Sequence, residues 1–132
     1  MRLIKFQKKK IDEQRLFVGQ VMERVERLQA EIIQLNNTLQ QEQELASHTL
    51  EGTMMFPTYA KGVNLRKSKV RRYLQEVETQ LAQEQEKLRL QFAELKKFEI
   101  LYDSKLEQER QEREKKMISA QDDMNMIRHY RK

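Results

Sequence analysis

The sequence predicts an all-α protein in which two long helices form an antiparallel coiled-coil hairpin, the second helix longer and carrying a C-terminal overhang. Three observations predict it. Of 132 residues, 36% are charged and 38% hydrophobic, with only three glycines and one proline, a composition that suits long helices better than turn-rich folds. Apolar residues recur at intervals of three and four in both halves of the chain. One region rich in helix breakers separates the halves. A mean hydropathy of −0.92 would also suit a disordered chain, but scattered apolar residues would not keep a heptad.

The chain is read as one domain, residues 1–132, with helix 1 over about 2–51, a turn over about 52–63 and helix 2 over about 64–130. In helix 1 one seam position is filled by Ile4, Ile11, Val18, Val25, Ile32, Leu39 and Ala46, and the other by Gln7, Gln14, Val21, Leu28, Leu35 and Glu42. Such a stripe is narrow and needs a second helix to cover it. The polar residues Gln7 and Gln14, like Glu84 and Gln91 in helix 2, weaken the seam and either set its register or permit bending. Gly19 inside the helix costs about 1 kcal/mol relative to alanine; a bend, a close approach or a tolerated surface position would each account for it.

Gly52 stands where a helix can end, Pro57 follows, and Gly62 precedes Asn64, a residue type suited to an N-cap. Helix 2 then presents Leu74, Leu81, Leu88, Leu95 and Tyr102 at one seam position and Val70, Val77, Glu84, Gln91, Phe98 and Lys105 at the other. A short connection lets two such helices meet only by folding back. A turn centred near Pro57 sets Leu28 opposite Leu88, Val21 opposite Leu95 and Gln14 opposite Tyr102, to within a heptad. Met1 is then level with about residue 115, and residues 116–132 overhang. Residues 107–116 are almost wholly polar, with Glu109–Arg113 and Glu112–Lys116 spaced for helix-surface pairs. Beyond them Met117, Ala120, Met124 and Ile127 restore a 3-4-3 apolar stripe that helix 1 is too short to cover.

Composition also excludes function classes. There is no cysteine, hence no disulfide and no thiolate metal site, which suits a reducing cytoplasm. The first residues lack the apolar core of a secretory signal, and no run of about 18 apolar residues offers a membrane span. The two histidines, His48 and His129, lie far apart in sequence, and no phosphate loop, nucleophile–base set or metal spacing accompanies them. The carboxylates belong to charged helix faces. The expectation is a non-catalytic protein without cofactor or metal that works through contacts.

Candidate contact residues follow from charge and misplaced apolar groups. Residues 1–10 hold five basic groups and no acid, among them Lys5, Lys8, Lys9 and Lys10, and residues 57–72 hold six and no acid. These patches are either solvated helix ends or sites for nucleic acid, lipid headgroups or an acidic protein surface. Around the turn, Met54, Met55, Phe56 and Tyr59 form an adaptable apolar knob beside Lys61, Arg66, Lys67, Lys69, Arg71 and Arg72. The alternative is that the knob merely caps the seam. Leu16 and Ile100 fall off the seam, and the expected register brings Leu16 and Phe17 near Ile100 and Leu101 as a patch.

Several features together resemble the FliJ family, the small component of flagellar type III export whose virulence counterpart is YscO. They are the basic amphipathic N-terminal helix, the segment Phe56-Pro57-Thr58-Tyr59-Ala60 followed by Tyr73-Leu74, the longer Gln/Glu-rich second helix and the closing Asp122-Asp123-Met124-Asn125-Met126-Ile127-Arg128-His129-Tyr130-Arg131 segment. The resemblance covers the layout of the whole chain. It implies likeness to the central stalk of rotary ATP synthases and a role as a rod-like coupling protein between a hexameric FliI-like export ATPase and a FlhA-like export gate, with export chaperones as further partners. Implied ATPase-ring contacts are Lys5, Lys8, Lys9, Lys10, Met117, Ala120, Met124 and Ile127. Implied gate contacts are Met54, Met55, Phe56, Tyr59, Arg71, Arg72 and Tyr73, although Met54, Met55 and Pro57 depart from the family's turn. The implied location is cytoplasmic, peripheral to the inner membrane, without nucleic acid or membrane insertion. Two other readings stand beside it: a basic coiled coil that binds nucleic acid or anionic membrane, and a self-associating structural coiled coil.

Overall fold

The computed structural model describes residues 1–131. It consists of α1 (Arg2–Ala46) and α2 (Leu50–Arg131), packed against each other as an all-α hairpin, with no strand among the described residues. The polypeptide divides into two compact units, Ile11–Arg89 and Met1–Lys10 with Leu90–Lys132.

The Ile11–Arg89 unit contains the turn and most of the buried apolar surface. Val21, Val25 and Val77 are buried together, and Leu28, Leu74 and Leu81 pack against them. Ile11, Val18 and Val70 are buried as well. All occupy the predicted seams, and each buried valine contributes on the order of 1.5–2 kcal/mol. Off the seam the helices are tied by Arg66, whose guanidinium meets the Glu31 carboxylate at 2.7 Å, and by Lys67, which donates to Asn36 Oδ1 at 2.8 Å. Both ties are solvent-exposed and weak. Gln14 is the polar member of this seam. Its Nε2 donates to the Glu84 carbonyl at 3.0 Å and to Glu84 Oε2 at 2.7 Å, so burial leaves that amide satisfied.

In the Met1–Lys10 and Leu90–Lys132 unit, Gln7 is buried and its Nε2 donates to the Gln91 carbonyl at 3.2 Å. Leu95, Phe98 and Tyr102 are half-buried on the same α2 seam, whereas Lys105 is exposed.

The connection is residues 47–49, not 52–63. α1 closes with Ser47 N–H donating to the Gln43 carbonyl at 3.1 Å and tightens as His48 N–H donates to the Leu45 carbonyl at 3.2 Å. Thr49 then caps α2: its Oγ1 accepts from Gly52 N–H at 2.9 Å, satisfying one of the free donors at a helix start. Glu51 adds an acid to that first turn, where the helix dipole favours it. Thr53 Oγ1 donates back to the Ala46 carbonyl at 3.2 Å, stitching the two helix ends. Gly52 therefore does not end a helix. It lies in the first turn of α2, where an added Cβ would sit 2.7 Å from the Ala46 carbonyl oxygen. No described residue takes a positive φ, so this glycine is required by close approach rather than by backbone conformation.

Pro57, Gly62 and Asn64 all lie within α2, and Asn64 is not an N-cap. The proline removes the N–H that would bond the Thr53 carbonyl, which costs a helix interior about 3 kcal/mol. α2 runs through because its seam does. Stepping back by sevens from Val70 and Leu74 reaches Val63 and Phe56, and Lys67 and Ala60, all half-buried.

Moving the turn moves the register. Gln14 faces Glu84 rather than Tyr102, and Gln7 faces Gln91. Leu28 packs with the Val77 cluster rather than opposite Leu88. Met1 is accordingly level with about residue 97, not residue 115, so the overhang is longer than the sequence reading. The same register puts residue 16 level with residue 82, which removes the basis for a patch joining Leu16 to Ile100. Leu16 is exposed on its own helix.

Candidate functional site

The first candidate surface is the bare part of α2. From residue 103 to residue 131 every described residue is exposed. If the hairpin seam continued there it would fall on Lys105, Glu109, Glu112, Lys116, Ser119 and Asp123, so no second helix of the same kind is called for along that line. The helix is supported by its own ion pairs: Arg110 meets Glu107 and Glu114, each at 2.6 Å. The bidentate guanidinium holds the Glu107 carboxyl below the ordinary carboxylate range, and Glu107 in turn raises Arg110.

Met117, Ala120, Met124 and Ile127 share one face of this segment, and Leu106, three turns earlier, extends the stripe. Leu106, Met117, Met124 and Ile127 are all exposed large apolar groups. Leu106 was missed because the polar run around it hides a single leucine from a short window. Met126 and Tyr130 emerge on a different face, about the line of the old seam, where they border a shallow depression with Asp122, Asn125 and His129. The last turn is thus apolar on two sides.

Lys5, Lys8, Lys9 and Lys10 belong to the same compact unit as this extension, and all four are exposed. Lys10 Nζ stands 5.6 Å from the Phe6 ring centroid, a surface cation–π contact. The structure does not bring the lysines against the methionine stripe. Met117 lies 20 residues beyond the level of Met1, or about 30 Å along the helix. Of the basic residues only Arg2 and Lys5 fall in the first turn of α1, where no acid accompanies them and cations oppose the helix dipole; Lys8, Lys9 and Lys10 lie beyond its reach. At the other terminus Arg128, His129 and Arg131 fill the last turn of α2, where the dipole alone is sufficient reason.

The second candidate surface lies at the turn. Met55, Phe56 and Tyr59 border one depression together with Glu42, Leu45, Ala46, Thr49 and Gly52. The Phe56 and Tyr59 rings are 6.3 Å apart, tilted by 43°. Phe56 leans into the seam and is half-buried, as a cap would be. Met54 and Met55 remain 73% and 64% exposed, as does Leu50 at 79%, so the knob exceeds what capping uses. Tyr73 is 14 residues, about 21 Å, further along α2 and does not join it. Arg71 and Arg72 border a separate depression with Ser68, Leu74, Gln75 and Glu78. The gate candidates therefore separate into a turn cluster, an arginine pair and an isolated tyrosine. Leu45, Leu50 and Leu65 were missed; once α2 is known to begin at residue 50, helical spacing alone exposes the last two.

Among the described residues no cluster of His, Asp or Glu is arranged to hold a metal ion, and no helix is long and apolar enough to cross a membrane. The two surfaces offer apolar and cationic contact.

No protein-family model, curated protein or solved structure matches this chain.

Proposed function

We propose that this chain is a non-catalytic coupling factor of a flagellar type III export apparatus, similar to FliJ, with the export ATPase and the export gate as partners. The observation that carries the reading is the bare segment 103–131. A helix that buries nothing of its own chain yet presents Leu106, Met117, Met124 and Ile127 on one face is incomplete without a partner surface. The exposed N-terminal lysines Lys5, Lys8, Lys9 and Lys10 give the same unit a second, electrostatic contact. The depression formed by Met55, Phe56 and Tyr59 is the surface assigned to a FlhA-like gate. The chain also escorts export chaperones, and the protein works in the cytoplasm at the inner membrane.

A self-associating coiled coil is less favoured. Aligning two copies of the stripe head to tail, Met117 against Ile127 and Ala120 against Met124, brings Arg128 to Lys116 and Arg131 to Arg113, all like charges.

The test is to add the purified chain to a purified FliI-like export ATPase and follow ring assembly by light scattering and hydrolysis by phosphate release. Both should rise, and a chain ending at residue 102 should lose the effect. A full-length chain that leaves the ATPase monomeric and its rate unchanged would sink the proposal.

A further inference from the structure

The unbroken run of α2 through residues 50–72 aligns residues that a turn would have scattered. On the side of the helix opposite the seam, Met54, Thr58, Lys61, Leu65, Ser68 and Arg72 follow at intervals of four and three, with Leu50 and Lys69 flanking them. Every one of these is exposed, and Leu65 is 57% so. Residues 52–75 contain no acid. Arg66 and Lys67, which point toward α1, are engaged by Glu31 and Asn36. Lys61, Lys69 and Arg72 are on the outer side, away from those partners.

We infer that this outer face of α2 binds an anionic lipid surface, lying on the headgroups without crossing them. Charge and shape both fit that occupant. The face is a convex strip about 33 Å long, and an amphipathic helix rests on a bilayer with its apolar side chains 5–10 Å into the headgroup boundary. Leu50, Met54 and Leu65 supply those side chains. Lysine and arginine beside them extend their aliphatic stems along the apolar layer and hold their charges at the phosphates. Ser68, Arg71, Arg72 and Gln75 border the depression at the far end of the strip, which Leu74 and Glu78 also line; the two guanidiniums outnumber the one carboxylate there and, with the hydroxyl and amide, can donate to a headgroup phosphate. A nucleic acid would match the cations but leave three large apolar groups against phosphate and water. Each cation near an anionic membrane is worth about a fivefold gain in binding, so three outer cations give on the order of a hundredfold preference over neutral lipid.

This inference does not rest on the proposed coupling role: it uses none of the residues of the bare segment that carries that reading, although Met54, Arg71 and Arg72 are also among the gate candidates. The experiment is sedimentation of the full chain with vesicles of phosphatidylcholine alone or mixed with phosphatidylglycerol, at about 50 mM and about 200 mM salt, with a duplex DNA oligonucleotide as a parallel ligand. The chain should sediment with the phosphatidylglycerol vesicles at the lower salt and fall away at the higher. A Lys61→Glu, Lys69→Glu, Arg72→Glu variant should lose more than about a hundredfold, since each change removes a cation and adds a repelled anion, and Met54→Ser with Leu65→Ser, which keeps every charge, should lose several-fold, both with unchanged helical circular dichroism. Binding that survives the charge reversals, binding indifferent to the serine substitutions, or retention of DNA but not of vesicles would each overturn it.

Discussion

Gly52 and Gly19 are the same residue type under opposite constraints. At Gly52 a methyl group would meet the Ala46 carbonyl oxygen at 2.7 Å and the Ala46 Cα at 3.0 Å, and these backbone atoms cannot step aside without opening the turn. Gly52→Ala should therefore lower stability by about 1–3 kcal/mol, read as a drop in the denaturant midpoint with an unchanged slope. Gly19 has nothing within 4 Å of the corresponding position, so neither a close approach nor a packing role explains it, and Gly19→Ala should raise stability by up to about 1 kcal/mol. If the two substitutions moved the midpoint the same way, the assignment of Gly52 to a tight crossing would be wrong. Gln91 is a third informative position. Its Oε1 is buried without a hydrogen-bond partner, while its main-chain carbonyl holds Gln7. Gln91→Leu removes the unpaired oxygen and leaves the carbonyl in place, so it should stabilise the fold by about 1–3 kcal/mol.

At the scale of the elements, α1 was legible almost residue by residue, because its seam from Ile4 to Leu39 is a continuous heptad and nothing competes with it. The start of α2 was not. Gly52 and Pro57 are the strongest breakers in the chain, and they outweighed a quieter signal: Phe56, Ala60, Val63 and Lys67 keep the α2 heptad going through the supposed linker. What ends α1 is the Ser47-His48-Thr49 connection, whose capping hydrogen bond from Gly52 N–H to Thr49 Oγ1 has no mark stronger than a threonine followed by leucine and glutamate. Misplacing the turn then carried into the register, the length of the overhang and the grouping of the gate candidates. The stripe of Met117, Ala120, Met124 and Ile127 was legible because it depends on spacing within one helix and not on where the turn lies. Pro57 tests the continuity of α2 directly. In a continuous helix Pro57→Ala should restore one backbone hydrogen bond and add roughly 2–3 kcal/mol, whereas in a linker it would be neutral or mildly destabilising.

Taken whole, the molecule divides its residues between those that hold the hairpin and those that hold nothing. Val21, Val25 and Val77 with their leucine neighbours carry the packing, whereas residues 103–131 contribute no buried side chain. A lone helix of that length is marginal in water, sustained by propensity and surface pairs such as Arg110 with Glu107 and Glu114. The Glu107 carboxyl is held low by Arg110. Its contribution is therefore present above the ordinary carboxylate range and fades as the pH falls through the depressed value, so acid should loosen the extension before the valine core. Amide hydrogen exchange should be fast throughout 103–131 and slow around residues 18–28 and 70–81, since exchange protection follows buried contacts. Ending the chain at residue 102 should then leave the stability of the hairpin within about 0.5 kcal/mol of the full chain, as expected for exposed groups away from packing and caps, while abolishing the effect proposed for it on an export ATPase. A truncation that also melts the hairpin would mean the extension serves the fold itself, and its apolar stripe would lose its claim to a partner.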